Sequence, residues 1–303
     1  MTHEPSKSRG PATSESTPPP TDDRAPLDGA ALRSDLLAPA GPFARVETVE
    51  STGSTNADIA ASAAADPAEW PDLCVLATDF QSAGKGRLER VWQAPPRSAL
   101  AVSVLFRPTT ADGGPLPAGA YGWLSMLCAL ALAEAIGETT AVEARIKWPN
   151  DVLVGGKKVA GLLAQLVPQG PVPAVVVGSG VNVGLTEGEL PVPTATSLLL
   201  EGASTTDNTV VLTAYLRRVA ELYRGFVDEG GEADAGLRER VAARMATLGA
   251  RVRAELPDGS TLEGEAVGLD ADGALHIRSA QGTETALRAG DVVHLRRADG
   301  EYS

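Results

Sequence analysis

Cysteine is nearly missing from this 303-residue chain, which has only Cys74 and Cys128. Both lie in apolar runs, LCVLA and MLCALAL. The pattern predicts buried thiols in a reducing cytoplasm and excludes a disulfide framework. Histidine is also scarce. His3, His276 and His294 are scattered and offer no metal-ligand spacing. Positive charge is in deficit, with a formal net charge of -13 and a pI near 4.7. That excludes the broad basic face of a general nucleic-acid binder. The N-terminus lacks a basic-then-apolar signal pattern. The longest apolar stretch, around WLSMLCALALA, reads as too short to span a bilayer. These absences predict a soluble cytoplasmic protein with no membrane or nucleic-acid partner.

What is present is a core-forming chain, 43% hydrophobic, long enough for one large domain and a smaller one. Residues 1 to about 42 are rich in Pro, Ser, Thr and Asp and lack hydrophobic periodicity. They read as a disordered tail, too short and too rich in proline for a helix-turn-helix unit. From Phe43 to about residue 246 the pattern is α+β. FARVETVE, LCVLATDF, ALAVSVLF, ARIKW, DVLV, KKVAGLLAQLV and AVVVGSGVNVG read as strands. STNADIAASAAA reads as a helix capped by Ser54 or Thr55. YGWLSMLCALALAEAI is apolar nearly all round and reads as a central buried helix, whereas NTVVLTAYLRRVAELYRGFV is amphipathic. From 247 to 303, short strands broken by PDG, DADG and QG turns predict a small barrel or sandwich.

Lysine is rarer than arginine, and four of the five lysines (Lys85, Lys147, Lys157, Lys158) fall in stretches that carry motifs. In QSAGKGRLERVW, Gly84 and Gly86 are expected to supply positive φ and to aim backbone N–H groups at an anion. Arg87 offers a bidentate fork, and Trp92 a flat face for stacking. The plain alternative is a solvated loop with a packed tryptophan. In RIKWPNDVLVGGKKVAGLL, Lys147, Asn150 and Asp151 sit at a strand end, and a Gly155-Gly156 hairpin returns Lys158 beside them. That set suits phosphate and metal contact, or equally a polar hairpin around a core Trp148. Ser54, Thr55 and Asn56 suit either a ligand or a helix cap. The glycines of VVVGSGVNVG suit either close approach of a ligand, with Asn182 reading a base edge, or close strand packing.

In this order and spacing the four stretches resemble the biotin–protein ligase family. The carriers are Ser54-Thr55-Asn56, Gln81 with Gly84-Lys85-Gly86-Arg87 and Trp92, Lys147-Trp148-Pro149-Asn150-Asp151, Lys158 before Val159-Ala160-Gly161, and Gly178-Ser179-Gly180-Val181-Asn182. The resemblance implies a mixed-sheet, class II synthetase-like catalytic domain with a C-terminal SH3-like β-barrel, and no N-terminal DNA-binding domain. It implies ATP and biotin as substrates with Mg²⁺, and formation of biotinyl-5′-AMP. Biotin would then pass to a lysine of a biotin carboxyl carrier domain of an acyl-CoA carboxylase. By resemblance, Ser54, Thr55, Asn56 and Gln81 hold the biotin rings. Lys85, Gly86 and Arg87 wrap the carboxylate and the adenylate phosphate. Trp92, Asn150 and Asn182 serve ATP, Lys147, Asp151 and Lys158 serve phosphates, metal and transfer, and Lys158 also counts among the residues that bind biotin. Arg296 is expected to reach the site from the barrel. Lys85 departs from the family's usual arginine, and Glu89 is expected to pair with Arg87 or Arg90 in the empty enzyme. Monomer and homodimer stay open. The rival readings are a lipoate or octanoate ligase, a non-catalytic biotin sensor and a DNA-binding repressor.

Overall fold

The computed structural model describes residues 24–167, 172–298 and 302. A seven-stranded mixed sheet runs in the order β1 (Arg45–Val49), β2 (Cys74–Thr78), β3 (Ala99–Phe106), β7 (Ala174–Asn182), β6 (Lys157–Val167), β5 (Asp151–Val154), β4 (Ala144–Lys147). Only the β1–β2 pair is parallel. The β5–β6 turn uses Gly155 and Gly156 at φ +58° and +79°, values that favour glycine.

Strand alternation divides the sheet into two working faces. On β3, Leu100, Val102, Val104 and Phe106 point into the main core. There they meet α3 (Tyr121–Thr140) and α4 (Asn208–Asp228). The intervening Ala101, Ser103 and Leu105 face the other side. On β7, Val175, Val177 and Val181 join the main core. Gly178, Gly180 and Asn182 alternate with them. The opposite face is covered at one end by α2 (Thr55–Ala65), through Ile59, Ala60 and Ala63. Where α2 stops, small residues leave a cavity.

α3 corrects one expectation from the sequence. It is long and apolar enough, by length and composition, to cross a membrane, but its apolar window is 72% buried inside the molecule. Its all-round hydrophobicity answers to a position between the sheet and α4. A second correction concerns the tail. Residues 1–23 lie outside the described residues, but from Arg24 onward the chain is placed, and α1 (Gly29–Leu36) is capped by Asp28 and buries Leu32 and Leu36 completely. The Leu27 N–H donates to Asp79 Oδ2 at 2.7 Å and fixes the entry to that helix. Leu36→Ala is expected to destabilise the protein by about 2–5 kcal/mol, the cost of a core cavity. Urea denaturation measures it, and a change within error would return this segment to the tail.

The helix α5 (Ala235–Arg244) was not anticipated. The strands β8 (Arg251–Glu255), β9 (Thr261–Leu269), β10 (Leu275–Arg278), β11 (Glu284–Leu287) and β12 (His294–Arg297) form an antiparallel sheet in the order β11-β10-β9-β8-β12. Trp123 on α3 and Trp148 in the β4–β5 turn tie this unit to the large domain by donating their indole N–H groups to Ala271 O (2.6 Å) and Gly273 O (3.2 Å).

Candidate active site

The uncovered sheet face forms a cavity of about 640 Å³, within the range of small-molecule sites. All fourteen residues given a role from the sequence by resemblance, Arg296 included, line it. Its floor is β7 beside β3 and β6, and the glycines there are required by close approach. A Cβ on Gly178 would fall 2.2 Å from Asn56 Oδ1, and one on Gly180 would fall 2.6 Å from the Trp92 indole. The protein's own side chains lie on these glycines, and they form the walls of the cavity.

At the Gly178 end the walls are neutral and polar. Ser54 caps α2, its hydroxyl accepting from Ala57 N–H at 3.5 Å. Thr55 turns inward instead. Its backbone N–H donates to Gln81 Oε1 at 2.7 Å, and its hydroxyl lies 3.0 Å from the same oxygen. Asn56 donates to Leu163 O at 3.0 Å. Behind them Ser103, fully buried, touches both Thr55 Oγ1 (2.7 Å) and Asn56 Oδ1 (2.6 Å). Ser103 was not singled out from the sequence. The alternation in ALAVSVLF, with one hydroxyl on the face opposite the large apolar residues, was the available signal.

The loop over this pocket differs from expectation. Positive φ falls at Leu88 (+56°) and Glu89 (+57°), while Gly86 has φ -101°. Lys85 and Val91 form a β-bridge, closed by Gly86 N–H to Arg90 O (2.7 Å) and Trp92 N–H to Gly84 O (2.8 Å). Gly84 is needed for space, because a Cβ there would lie 2.4 Å from Trp92 O. Glu89 pairs with Lys85, not with Arg87 or Arg90. Arg87 is engaged elsewhere. It donates to Ala289 O (2.7 Å) and Val292 O (2.6 Å) of the C-terminal unit and approaches Asn150 Oδ1 at 3.4 Å. Arg90 contacts the His294 ring at 2.7 Å. Two arginines thus latch the loop to the small domain.

The far side of the cavity is cationic. Lys85, Arg87, Arg90, Lys147, Lys158 and Arg296 line it, and Asp151 is the one acidic side chain among its described lining residues. The β4–β5 register sets Lys147 opposite Asp151, and the hairpin brings Lys158 Nζ to 2.5 Å from Asp151 Oδ1. Burial pulls the Lys147 ammonium down to about 8; Asp151 opposes the shift, and Lys158 and Arg296 add to it. Burial also lowers Arg87 and, with Arg90 and Arg296, lowers His294. Asn182 donates to Thr196 O at 2.9 Å, which leaves its carbonyl oxygen for the cavity. Tyr302, which no sequence pattern marked, donates to Asp151 Oδ2 at 2.7 Å. Its ring lies 3.4 Å from Lys147 Nζ.

Residues 49–182 match the Biotin/lipoate A/B protein ligase family, and residues 247–295 the Biotin protein ligase C terminal domain. The chain is 37% identical over 276 residues to a biotin–[acetyl-CoA-carboxylase] ligase of Mycobacterium tuberculosis, covering 90% of this chain and 97% of the relative. It is 30% identical over 216 residues to the bifunctional ligase/repressor BirA of Bacillus subtilis, covering 70% of this chain and 63% of that one. Among solved structures, the biotin protein ligase of Aquifex aeolicus in complex with biotin and ATP superposes with a TM-score of 0.67 at 27% identity, over 84% of this chain and all of that one. On the extent of these matches, the chain belongs to the biotin/lipoate protein ligase family and carries the C-terminal domain of biotin protein ligases.

Proposed function

We propose that this protein activates biotin with ATP to biotinyl-5′-AMP and transfers the biotinyl group to a lysine of a biotin carboxyl carrier domain of an acyl-CoA carboxylase, in the cytoplasm. The observation that carries the reading is the cavity's charge: six cations against one carboxylate, in a chain of net charge -13. Such a field serves two anions that must meet.

A carboxylate cannot acylate an amine directly, because oxide is too poor a leaving group. In the first step the biotin carboxylate oxygen attacks the α-phosphorus, the bond to the bridging oxygen breaks, and pyrophosphate leaves. Both reactants are anionic, and Arg87, Lys147 and Lys158 are the cations placed to offset the charge that gathers in the transition state. Thr55, Asn56 and Gln81 hold the neutral ring end, and Lys85, Gly86 and Arg87 close over the carboxylate. Trp92, Asn150 and Asn182 frame the nucleotide. In the second step an amine attacks the acyl carbon and AMP leaves with the bonding pair. Asp151 is the carboxylate available to orient that amine. Mg²⁺ brought by ATP would offset part of the phosphates' charge. Among the described residues no group of three His, Cys, Asp or Glu gathers to hold a metal. A single cavity carboxylate suits an ion that keeps its waters and binds largely through phosphates.

The lipoate or octanoate reading is separated by competition binding. Biotin should displace a fluorescent biotin analogue at far lower concentration than lipoate or octanoate. The reverse order would overturn the assignment. A pH dependence follows from Lys147. Its charge is present below about 8 and is lost as pH rises through that value. The kcat/KM for ATP, which reports the free enzyme, should therefore fall about tenfold per pH unit above that point. A profile flat to pH 10 would remove the Lys147 charge from the reaction.

A further inference from the structure

We propose that Tyr302 is an intramolecular competitor of the nucleotide, whose ring and hydroxyl hold the groups the phosphates would use, so that ATP binds only by displacing it. The inference rests on the ATP-dependent reading above and concerns what the nucleotide must exchange with.

Tyr302 makes two contacts at the cationic end of the cavity. Its ring centre stands 3.4 Å from Lys147 Nζ. Its hydroxyl donates to Asp151 Oδ2 at 2.7 Å. Lys158 Nζ pairs with the other oxygen of that carboxylate at 2.5 Å. The β4–β5 register sets Lys147 opposite Asp151, so one tyrosine spans both strands. The three charged side chains assigned to the phosphates and the transfer step are thereby satisfied within the protein. Lys147 has a π-face, and Asp151 has a hydroxyl and an ammonium.

The contact over Lys147 is exclusive. An aromatic face attracts an ammonium electrostatically, as a phosphate does. A phosphate oxygen bonds an ammonium at about 2.7–2.9 Å, nearer than the ring centre stands. Lys147 is 6% exposed with the ring in place, so its ammonium has almost no other surface to offer an anion. Tyr302 itself lines the cavity, on the side where a bound phosphate would enter.

Displacement has a second consequence. When the tyrosine leaves, Asp151 Oδ2 loses its hydroxyl donor and becomes an acceptor. Asp151 is the carboxylate placed to orient the incoming amine, so arrival of the nucleotide frees the group that the transfer step uses. The docked phenol stays un-ionised, because burial, and then the Asp151 carboxylate, push it well above its usual range.

Calorimetry with Mg·ATP on Tyr302→Ala tests the competition. The variant should bind Mg·ATP about tenfold more tightly than wild type, the gain expected if the ring is docked roughly nine-tenths of the time. Tyr302→Phe keeps the ring and loses the hydroxyl, and should gain less. Biotin affinity without nucleotide should change little. A second readout is nitration by tetranitromethane, which attacks the phenolate. Of the four tyrosines, Tyr215 and Tyr223 are buried, and so is the Tyr121 hydroxyl. Tyr302 is therefore the reporter, read by mass in the tryptic peptide that follows Arg297. Mg·ATP should speed its nitration. Unchanged or weaker Mg·ATP binding by Tyr302→Ala would overturn the proposal, as would nitration slowed by Mg·ATP. Equal gains for biotin and Mg·ATP would also overturn it, because they would report a change in the cavity's overall charge. A wild-type protein that shows the competition yet leaves a carrier domain unmodified would overturn the biotin-transfer reading and leave this one standing.

Discussion

Replacing Lys158 with alanine should lower the rate of biotinyl-adenylate formation by about 10²- to 10³-fold, the cost of removing one well-placed charge from a charged transition state. Biotin affinity should change little by comparison. Lys158 stands at the start of β6, held by the hairpin against Asp151 at 2.5 Å. The neutral Thr55–Asn56–Gln81 pocket makes its own contacts elsewhere on the floor. The change also leaves the half-buried Asp151 with Tyr302 as its hydrogen-bond partner, which turns the local field further against phosphate. Pyrophosphate exchange measures the first quantity and calorimetry with biotin the second. Equal losses in both would contradict the separation of roles.

Arg87→Ala should leave the fold intact and release the adenylate. The guanidinium joins the loop to the C-terminal unit through two backbone carbonyls, Ala289 O and Val292 O. Two charge-assisted hydrogen bonds at the lower end of their range correspond to roughly 10²-fold in the loop's closed population. The same substitution removes a cation from the cavity. The expected result is fast dissociation of biotinyl-5′-AMP, slow transfer to the carrier domain and an unchanged melting transition. Wild-type transfer by this variant would take Arg87 out of the mechanism.

Much of the site was legible because its residues come in contiguous stretches whose local structure is simple. Gly155-Gly156 specified a hairpin, which sets Gly161 opposite Asp151 and leaves the Lys158 side chain within reach of that carboxylate. The alternation in ALAVSVLF and AVVVGSGVNVG specified which residues leave the core. Contacts between distant segments were less legible. The contact of Tyr302 with Asp151 and the attachment of Arg87 to the C-terminal unit join segments far apart in the sequence, and no local pattern encodes that. α1 was concealed by prolines and acidic residues around it, because two buried leucines are too few for a periodicity. α5 buries only Val241, so its sequence is polar and has little helical stripe. Gly84 and Gly86 show a different difficulty. Glycine signals either backbone freedom or lack of space, and for Gly84 the reason is space.

At the centre of the proposed function a cationic cavity joins a carboxylate to a nucleotide and passes the product to an amine. Intact-protein mass measurement of a biotin carboxyl carrier domain, incubated with this protein, biotin and Mg·ATP, tests it most directly. The account predicts a mass gain of one biotinyl group on a lysine, with AMP and pyrophosphate released in equal amounts. A carrier of unchanged mass, in a mixture where biotin and ATP are both shown to bind, would contradict it.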